Sequence, residues 1–246
     1  TMIKNVSAVF DKVVLVLYIG CSMDLSILDE CKIDGVVYTN YLGVVGANSF
    51  AKIVKGEISP SAKLPLTIAK HYEDYPSFLT FGQHGGGIIQ DYREDIYVGY
   101  RYFETFDGAN ENVLFPFGCG LSYTDFKVDE VKYSADNGKI NISAKITNIG
   151  DMAGQQVLQV YFAAPTAKDG AVLCAPAKQL FDFAKTDVLA VGESQTLEFS
   201  LEVDNMASYD DLGALGEKSC FILEKGDYRL IKEVERNYIA VEFSIE

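Results

Sequence analysis

The residues best suited to chemistry in this chain are carboxylates, 35 of them, and the candidate pairs among those that stand side by side are Glu73/Asp74, Glu94/Asp95, Asp129/Glu130 and Asp210/Asp211. Two carboxylates that work on one bond must converge on it from opposite sides. Neighbours along an extended chain point to opposite faces instead. In a chain so rich in acid, adjacency arises from composition alone, so solvated or capping roles are expected for all eight. The histidines are two, His71 and His84, too few for a zinc centre or a Ser-His-Asp arrangement to be expected. No G-x-S-x-G nucleophile turn occurs. The five cysteines (Cys21, Cys31, Cys119, Cys174, Cys220) form no C-x-x-C and no Cys/His spacing for a metal. Free thiols in a reducing compartment, and a cytoplasmic location, are therefore expected. Asp34-Gly35, Asp107-Gly108 and Asp169-Gly170 read as turns, since the alternating acids of a calcium loop are absent. The run GQHGGG at 82–87 has no strand before it and no helix after it, a poor phosphate cradle. No catalytic, cofactor-binding or metal-ligating residue is assigned, and no cofactor is expected.

The remaining candidate is aromatic. Asp91 to Thr124 carries Tyr92, Tyr97, Tyr100, Tyr102, Phe103, Phe106, Phe115, Phe117 and Tyr123, far above the 12% aromatic content of the whole chain. No regular helix period fits the stretch. Two readings stand side by side: a connector that packs its rings between domains, and a carbohydrate-stacking platform of Tyr92, Tyr97, Tyr100 and Tyr102. The lack of any Trp weighs against the platform. The connector reading expects Tyr97, Tyr100, Tyr102, Phe115 and Phe117 to be mostly buried between two domains, with Arg101 paired to an acid or a carbonyl.

Composition narrows the partners. With 48% hydrophobic and 23% charged residues the chain is globular. A net charge of −14 makes nucleic acid an unsuitable partner, because phosphate contacts need a basic footprint. No apolar run approaches the roughly 20 residues that span a bilayer. The opening TMIKNVSAVF does not read as a signal peptide, being followed at once by Asp11.

Two kinds of element pattern appear. In the first 70 residues, Met2–Phe10 has a helical apolar stripe, Lys12–Ile19 (KVVLVLYI) is a continuous β-branched run expected to be a strand covered on both faces, Gly35–Tyr38 is a second buried strand, and Ala47–Val54 is a helix closed by Gly56. That succession is α/β with parallel strands. Two strands do not make a stable open sheet alone, so this reads as part of a larger α/β domain. From Phe126 the chain alternates instead: FKVDEVKYS, KINISAKITNIG, QQVLQVYFAAP, SQTLEFSLEV, KSCFILEKGDYRLIKEV and YIAVEFSIE, separated by turn signals such as Asp136-Asn137-Gly138 and Asn148-Ile149-Gly150-Asp151. About seven short strands predict an antiparallel β-sandwich. Ile140, Ile142, Ala144 and Ile146 would face its core, with Asn141, Ser143, Lys145 and Thr147 outward.

The blocks GEISPSAKLPLTI, YREDIYVGYRYFET, VLFPFGCGLSYTDF, TNIGDMAGQQVLQVYFAAP and FAKTDVLAVGESQTLEFSL, in this order and spacing, resemble glycoside hydrolase family 3, the β-glucosidase/β-xylosidase group, over residues 12 to 246. The ending MASYDDLGALGEKSCFILEKGDYRL resembles the bacterial subgroup whose sandwich domains precede the barrel. The resemblance implies an α/β fold (a partial α/β sandwich, 1–75), an aromatic and Gly-rich connector (76–125) and an all-β immunoglobulin-like, fibronectin type III-like sandwich (126–246). It also implies a (β/α)8 barrel that bears the nucleophile, and an acid/base carboxylate on a loop ahead of the first helix. Neither carboxylate falls on a residue of this chain. Several positions depart from the family pattern: Ser59 and Ala62 in the SPSAKLP turn, Leu42–Gly46 (LGVVG), Cys119 where an aromatic is usual, and Ile231-Lys232-Glu233. The implied function is the non-catalytic portion of a retaining β-glycosidase that acts on a β-linked oligosaccharide or glycoside, buttressing the acid/base-bearing domain against the barrel. The alternatives are a carbohydrate-binding or adhesion module using the Tyr-rich connector, and a subunit that joins a companion chain carrying the barrel.

Overall fold

A computed structural model of the chain describes residues 2–82, 87–216, 218–234 and 237–245. His84 and most of the GQHGGG run lie outside the described residues. By its contacts the chain forms two compact units: residues 1–54 with 64–118, and residues 55–63 with 119–246.

In the first unit, α1 (Met2–Ser7), β1 (Val14–Leu17), α2 (Ile27–Glu30), β2 (Gly35–Tyr38) and α3 (Gly46–Val54) follow the expected α/β order. β1 and β2 pair in parallel, Val14 opposite Gly35 through Leu17 opposite Tyr38. Leu17, Leu25 and Ile68 form the buried centre of one cluster, with Leu15, Val36, Leu64 and Phe115 packed on it. One expectation needs correction. The strand is shorter than Lys12–Ile19 and is not covered on both faces, because alternate side chains Val14 and Val16 are 55% and 42% exposed. The β-branched run was a sound strand signal but carried no information about what lies over its second face. The chain then makes β3 (Ile68–Ala69), α4 (Tyr100–Thr105) and β4 (Val113–Phe115), with β3 antiparallel to β4.

The second unit is the sandwich. Its strands are β5 (Phe126–Asp136), β6 (Lys139–Asn148), β7 (Val157–Ala163), β8 (Gln179–Lys185), β9 (Ser194–Glu202), β10 (Ser208–Asp210), β11 (Cys220–Ile222), β12 (Gly226–Val234) and β13 (Asn237–Ile245). One sheet has the order β5-β6-β9 and the other β13-β12-β7-β8, all antiparallel, while β10 and β11 form a separate hairpin. The turn from β5 to β6 has Asn137 and Gly138 both at positive φ (50° and 73°), the backbone that lets a two-residue turn match strand twist. Ile140, Ile142, Ala144 and Ile146 from β6 meet Leu158, Val160, Phe162, Tyr228 and Leu230 from the other sheet in one core, as the alternation of KINISAKITN requires. β8 was not anticipated from the sequence. β7 is also buried on its outer face, where Lys178 sits 4.9 Å over the Tyr161 ring and Tyr161 donates to Gln159 Oε1 at 3.0 Å.

Two polar devices hold this unit. Asn148 ends β6 fully buried. Its Oδ1 accepts from Thr124 Oγ1 (2.7 Å) and from the Gly150 N–H (3.2 Å), and its Nδ2 donates to the carbonyls of Met152 (2.8 Å) and Leu189 (2.9 Å). Residues 55–63 join the unit through Ser59, whose hydroxyl lies 2.7 Å from Ser122 Oγ and accepts from the Tyr123 N–H at 2.9 Å, and through Lys63, which donates to the Gly120 carbonyl at 2.7 Å. Ser59, one of the departures from the family pattern, is therefore a buried hydrogen-bonding residue in its own right.

Candidate functional site

The aromatic segment is the only stretch the sequence offered as a ligand site, and its geometry follows from one short helix. Gly99, at φ +59°, turns the chain into α4, a conformation that a side chain would strain. α4 ends after six residues at Phe106, which is extended and donates its N–H to the Tyr102 carbonyl at 3.2 Å. The helix buries Phe103 (1% exposed) against Ala69, Ala109, Tyr75, Tyr102 and Val113. Tyr75 is fixed from both sides, accepting from the Ala69 N–H and donating to the Thr67 carbonyl.

The rings pack on one another. Tyr100 stacks on Phe117 with centroids 4.7 Å apart, Tyr97 meets Phe106 edge-on at 5.0 Å, and Tyr102 contacts both Phe103 and Phe106 at 5.2 Å. Of the four tyrosines proposed as a platform, three are engaged in these contacts within the first unit and half-buried, and Tyr92 alone is open, 87% exposed. Such ring pairs contribute about 0.5–1.5 kcal/mol each beyond their burial. Two expectations are corrected here. A helix does run through the segment, too short to leave a period. The Arg101 guanidinium has no ion pair or hydrogen bond among the described residues, where a partner was expected. Its backbone is what is engaged, the carbonyl accepting from Thr105 Oγ1.

The acidic pairs take separate structural positions. Asp74 accepts from the His71 N–H at 2.9 Å and caps a helical turn over Tyr72–Asp74. The Glu94 carbonyl receives the Tyr97 N–H. Asp129 pairs with Lys127 and Glu130 with Lys145. Asp210 is 1% exposed and receives the N–H groups of Gly213 and Ala214 on one oxygen and of Leu215 on the other. These backbone donors, Leu215 foremost, hold its carboxyl below the usual Asp range. Among the described residues no group of three His, Cys, Asp or Glu side chains is placed to hold a metal ion, and no helix is long and apolar enough to cross a membrane.

Comparison with known proteins decides the family. The model of the glycosyl hydrolase family 3 C-terminal domain matches residues 1–123, and that of the fibronectin type III-like domain matches residues 156–231. The chain belongs to glycosyl hydrolase family 3. A beta-glucosidase of Ruminococcus albus is 42% identical over 92% of the chain, and beta-glucosidase A of Butyrivibrio fibrisolvens is 42% identical over the same share. A solved beta-glucosidase from Paenibacillus barengoltzii superposes with a TM-score of 0.86 at 41% identity over 97% of the chain, and beta-glucosidase 3B of Thermotoga neapolitana, in complex with glucose, with 0.85 at 33% identity over 99%. The family 3 chain spans 23% and 28% of the two curated relatives, and 26% and 33% of the two solved ones. The α/β part followed by a fibronectin type III-like sandwich is thus the fold that both sequence and structure support.

Proposed function

We propose that this family 3 chain is the non-catalytic portion of a retaining β-glucosidase, and that it steadies the domain bearing the acid/base carboxylate against a barrel bearing the nucleophile. The observation that carries this reading is the pair of coverages: nearly all of this chain aligns with beta-glucosidases, yet it accounts for 23% of the Ruminococcus albus relative. The employment of Asp74 in a cap, of Asp129 and Glu130 in ion pairs and of Asp210 in a backbone cradle supports it. The reading explains why so much of the sequence is spent on rigidity. A retaining site needs its carboxylates about 5–5.5 Å apart, so the parts that carry them must be held firmly. Interlocked rings around Phe103 and the four bonds of Asn148 provide stiffness of that kind. The substrate of the whole enzyme would be a terminal β-D-glucoside or a related β-linked sugar.

The test is an assay of the rigorously purified 246-residue chain with p-nitrophenyl β-D-glucopyranoside. No release of nitrophenolate above the buffer rate is expected. Turnover that co-purifies with the chain and scales with its concentration would overturn the reading.

A further inference from the structure

The carboxyl ends of β1 and β2 carry an apolar surface that the first unit leaves exposed. Val14 and Val16 lie on the uncovered face of β1, and Tyr18, 55% exposed, follows them in the same alternation. Its ring meets that of Tyr41 edge-on, with centroids 5.5 Å apart. From Tyr41 the loop between β2 and α3 continues through Leu42, Val44 and Val45, with Tyr41 and Val45 each 70% exposed and Val44 wholly so. Hydrogen bonds hold this loop in place. The Thr39 N–H and hydroxyl both donate to the Leu17 carbonyl, at 3.0 and 3.3 Å, tying the end of β2 to the end of β1. Asn40, at φ +51°, accepts from the Tyr41 N–H through Oδ1 at 3.0 Å, and Gly43 turns the chain at φ +70°. Gly20 lies so close to the Tyr41 ring that a Cβ there would sit 2.6 Å from it.

The same two stretches carry no charge. No Asp, Glu, Lys or Arg occurs from Val13 to Met23 or from Gly35 to Ala51, in a chain that is 23% charged with a net charge of −14. Exposed aromatic and aliphatic side chains in charge-free stretches have the composition of an interface core, where Asp, Glu and Lys are depleted and aromatic residues enriched.

We infer that Tyr18, Tyr41, Leu42, Val44 and Val45 form a docking surface for an apolar, uncharged face on the barrel-bearing part of a β-glucosidase. The inference rests on the reading of this chain as part of such an enzyme. Two observations select this occupant. The solved Paenibacillus barengoltzii relative is matched over 97% of this chain and 26% of its own length, so enzymes of this kind have ample further polypeptide to cover the patch. A second copy of the chain is disfavoured, because each copy brings a net charge of −14 to the contact. A loop fixed beforehand by Thr39 and Asn40 loses little freedom on docking.

The test has two arms. In the full 246-residue chain by itself, Val44→Asp combined with Val45→Asp should leave the urea midpoint unchanged, and sedimentation should show a monomer. A lowered midpoint, meaning that the loop belongs to this chain's own core, overturns the inference. So does a dimer that the two substitutions dissolve, which makes a second copy the occupant. In the other arm the chain replaces the aligned part of the Paenibacillus barengoltzii enzyme, and amide exchange is followed by mass spectrometry. Exchange over Tyr41–Gly46 should be slower in this chimera than in the isolated chain by about ten-fold or more, as cover by another surface requires. The two substitutions should restore the faster rate. Equal rates in the two settings overturn the inference. Hydrolysis of p-nitrophenyl β-D-glucopyranoside by the chimera is measured separately. Its absence counts against the preceding reading, whereas the exchange rates decide the docking surface.

Discussion

Replacement of Asn148 by Ala is the most direct probe of what holds the sandwich together. The side chain satisfies four groups, and they differ in what they can do without it. Gly150 and Met152 are partly exposed, so their N–H and carbonyl can recover water. Thr124 and Leu189 are buried; the Thr124 hydroxyl is left desolvated without a partner, whereas the Leu189 carbonyl keeps the Gly154 N–H at 3.1 Å and loses only its second bond. The Thr124 orphan costs about 1–3 kcal/mol and the lost second bond to Leu189 about 0.5–1.5 kcal/mol, so the two together cost roughly 1.5–4.5 kcal/mol. Against a typical domain stability of about 5–15 kcal/mol this is a large fraction. Urea unfolding, followed by tyrosine fluorescence and near-ultraviolet circular dichroism since there is no Trp, should show the sandwich transition moved down by more than about 1 M. Asn148→Asp sharpens the test. It keeps both acceptors but points a carboxylate at two carbonyls, so at pH 8 it should be at least as damaging as Ala. Burial and those carbonyls raise its folded pKa above the unfolded value of about 3.9, so part of the loss should return as the pH falls and the protonated oxygen donates. A loss under about 1 kcal/mol for Asn148→Ala, or no pH difference between the two variants, refutes the assignment of Asn148 as a staple.

Three further outcomes are expected. Phe103→Ala should destabilise the first unit by about 3–5 kcal/mol, seen as an earlier thermal transition, because the ring is the buried centre of its cluster. Asp210 has its folded pKa depressed, so its contribution is present above the unfolded pKa of about 3.9 and is lost as the pH falls through the lower folded value. The wild type should accordingly lose amide protection at Gly213–Leu215 on acidification, while Asp210→Asn should show weaker protection there at neutral pH and little further change in acid. Gly154→Ala should cost about 1–3 kcal/mol in urea, because a Cβ there would sit 2.8 Å from Thr124 Cγ2 and 3.2 Å from Phe126 Cζ, in a packed core.

The sandwich was legible because burial on one face writes a period of two into the sequence, as in β6 and β9. β8 was missed because QLFDFAK is an edge strand with Leu180 and Phe181 half-buried and Phe183 exposed, spread over both faces, so no alternation results. α4 was missed because six residues between Gly99 and an extended Phe106 complete too few turns to show a stripe. Asn148 was read as the start of a turn. The parity that placed Ile140, Ile142, Ala144 and Ile146 in the core continues to position 148, and a polar residue at a core position is the signal that marks a buried network. The cradle of Asp210 leaves no such trace, because its donors are backbone groups. The outward set Asn141, Ser143, Lys145 and Thr147 was assigned correctly, but only strand register shows which side chains stand opposite them. The exposed face of β1 lay beyond sequence, since the same apolar run serves a covered strand and an uncovered one.

The assignment of residues 55–63 to the sandwich gives the chain an unusual covalent topology. The polypeptide passes from one unit to the other three times, after positions 54, 63 and 118. A protease that nicks the last junction does not release two self-sufficient pieces. It yields a 119–246 fragment no longer covalently joined to Ser59, which bonds Ser122 and Tyr123, or to Lys63, which bonds the Gly120 carbonyl. It also leaves those same groups at the middle of the other fragment, still able to hold the two together. The nine-residue excursion thus acts as a clasp sewn through from the neighbouring unit, and a nicked chain should run as one species in native conditions and as two only when denatured.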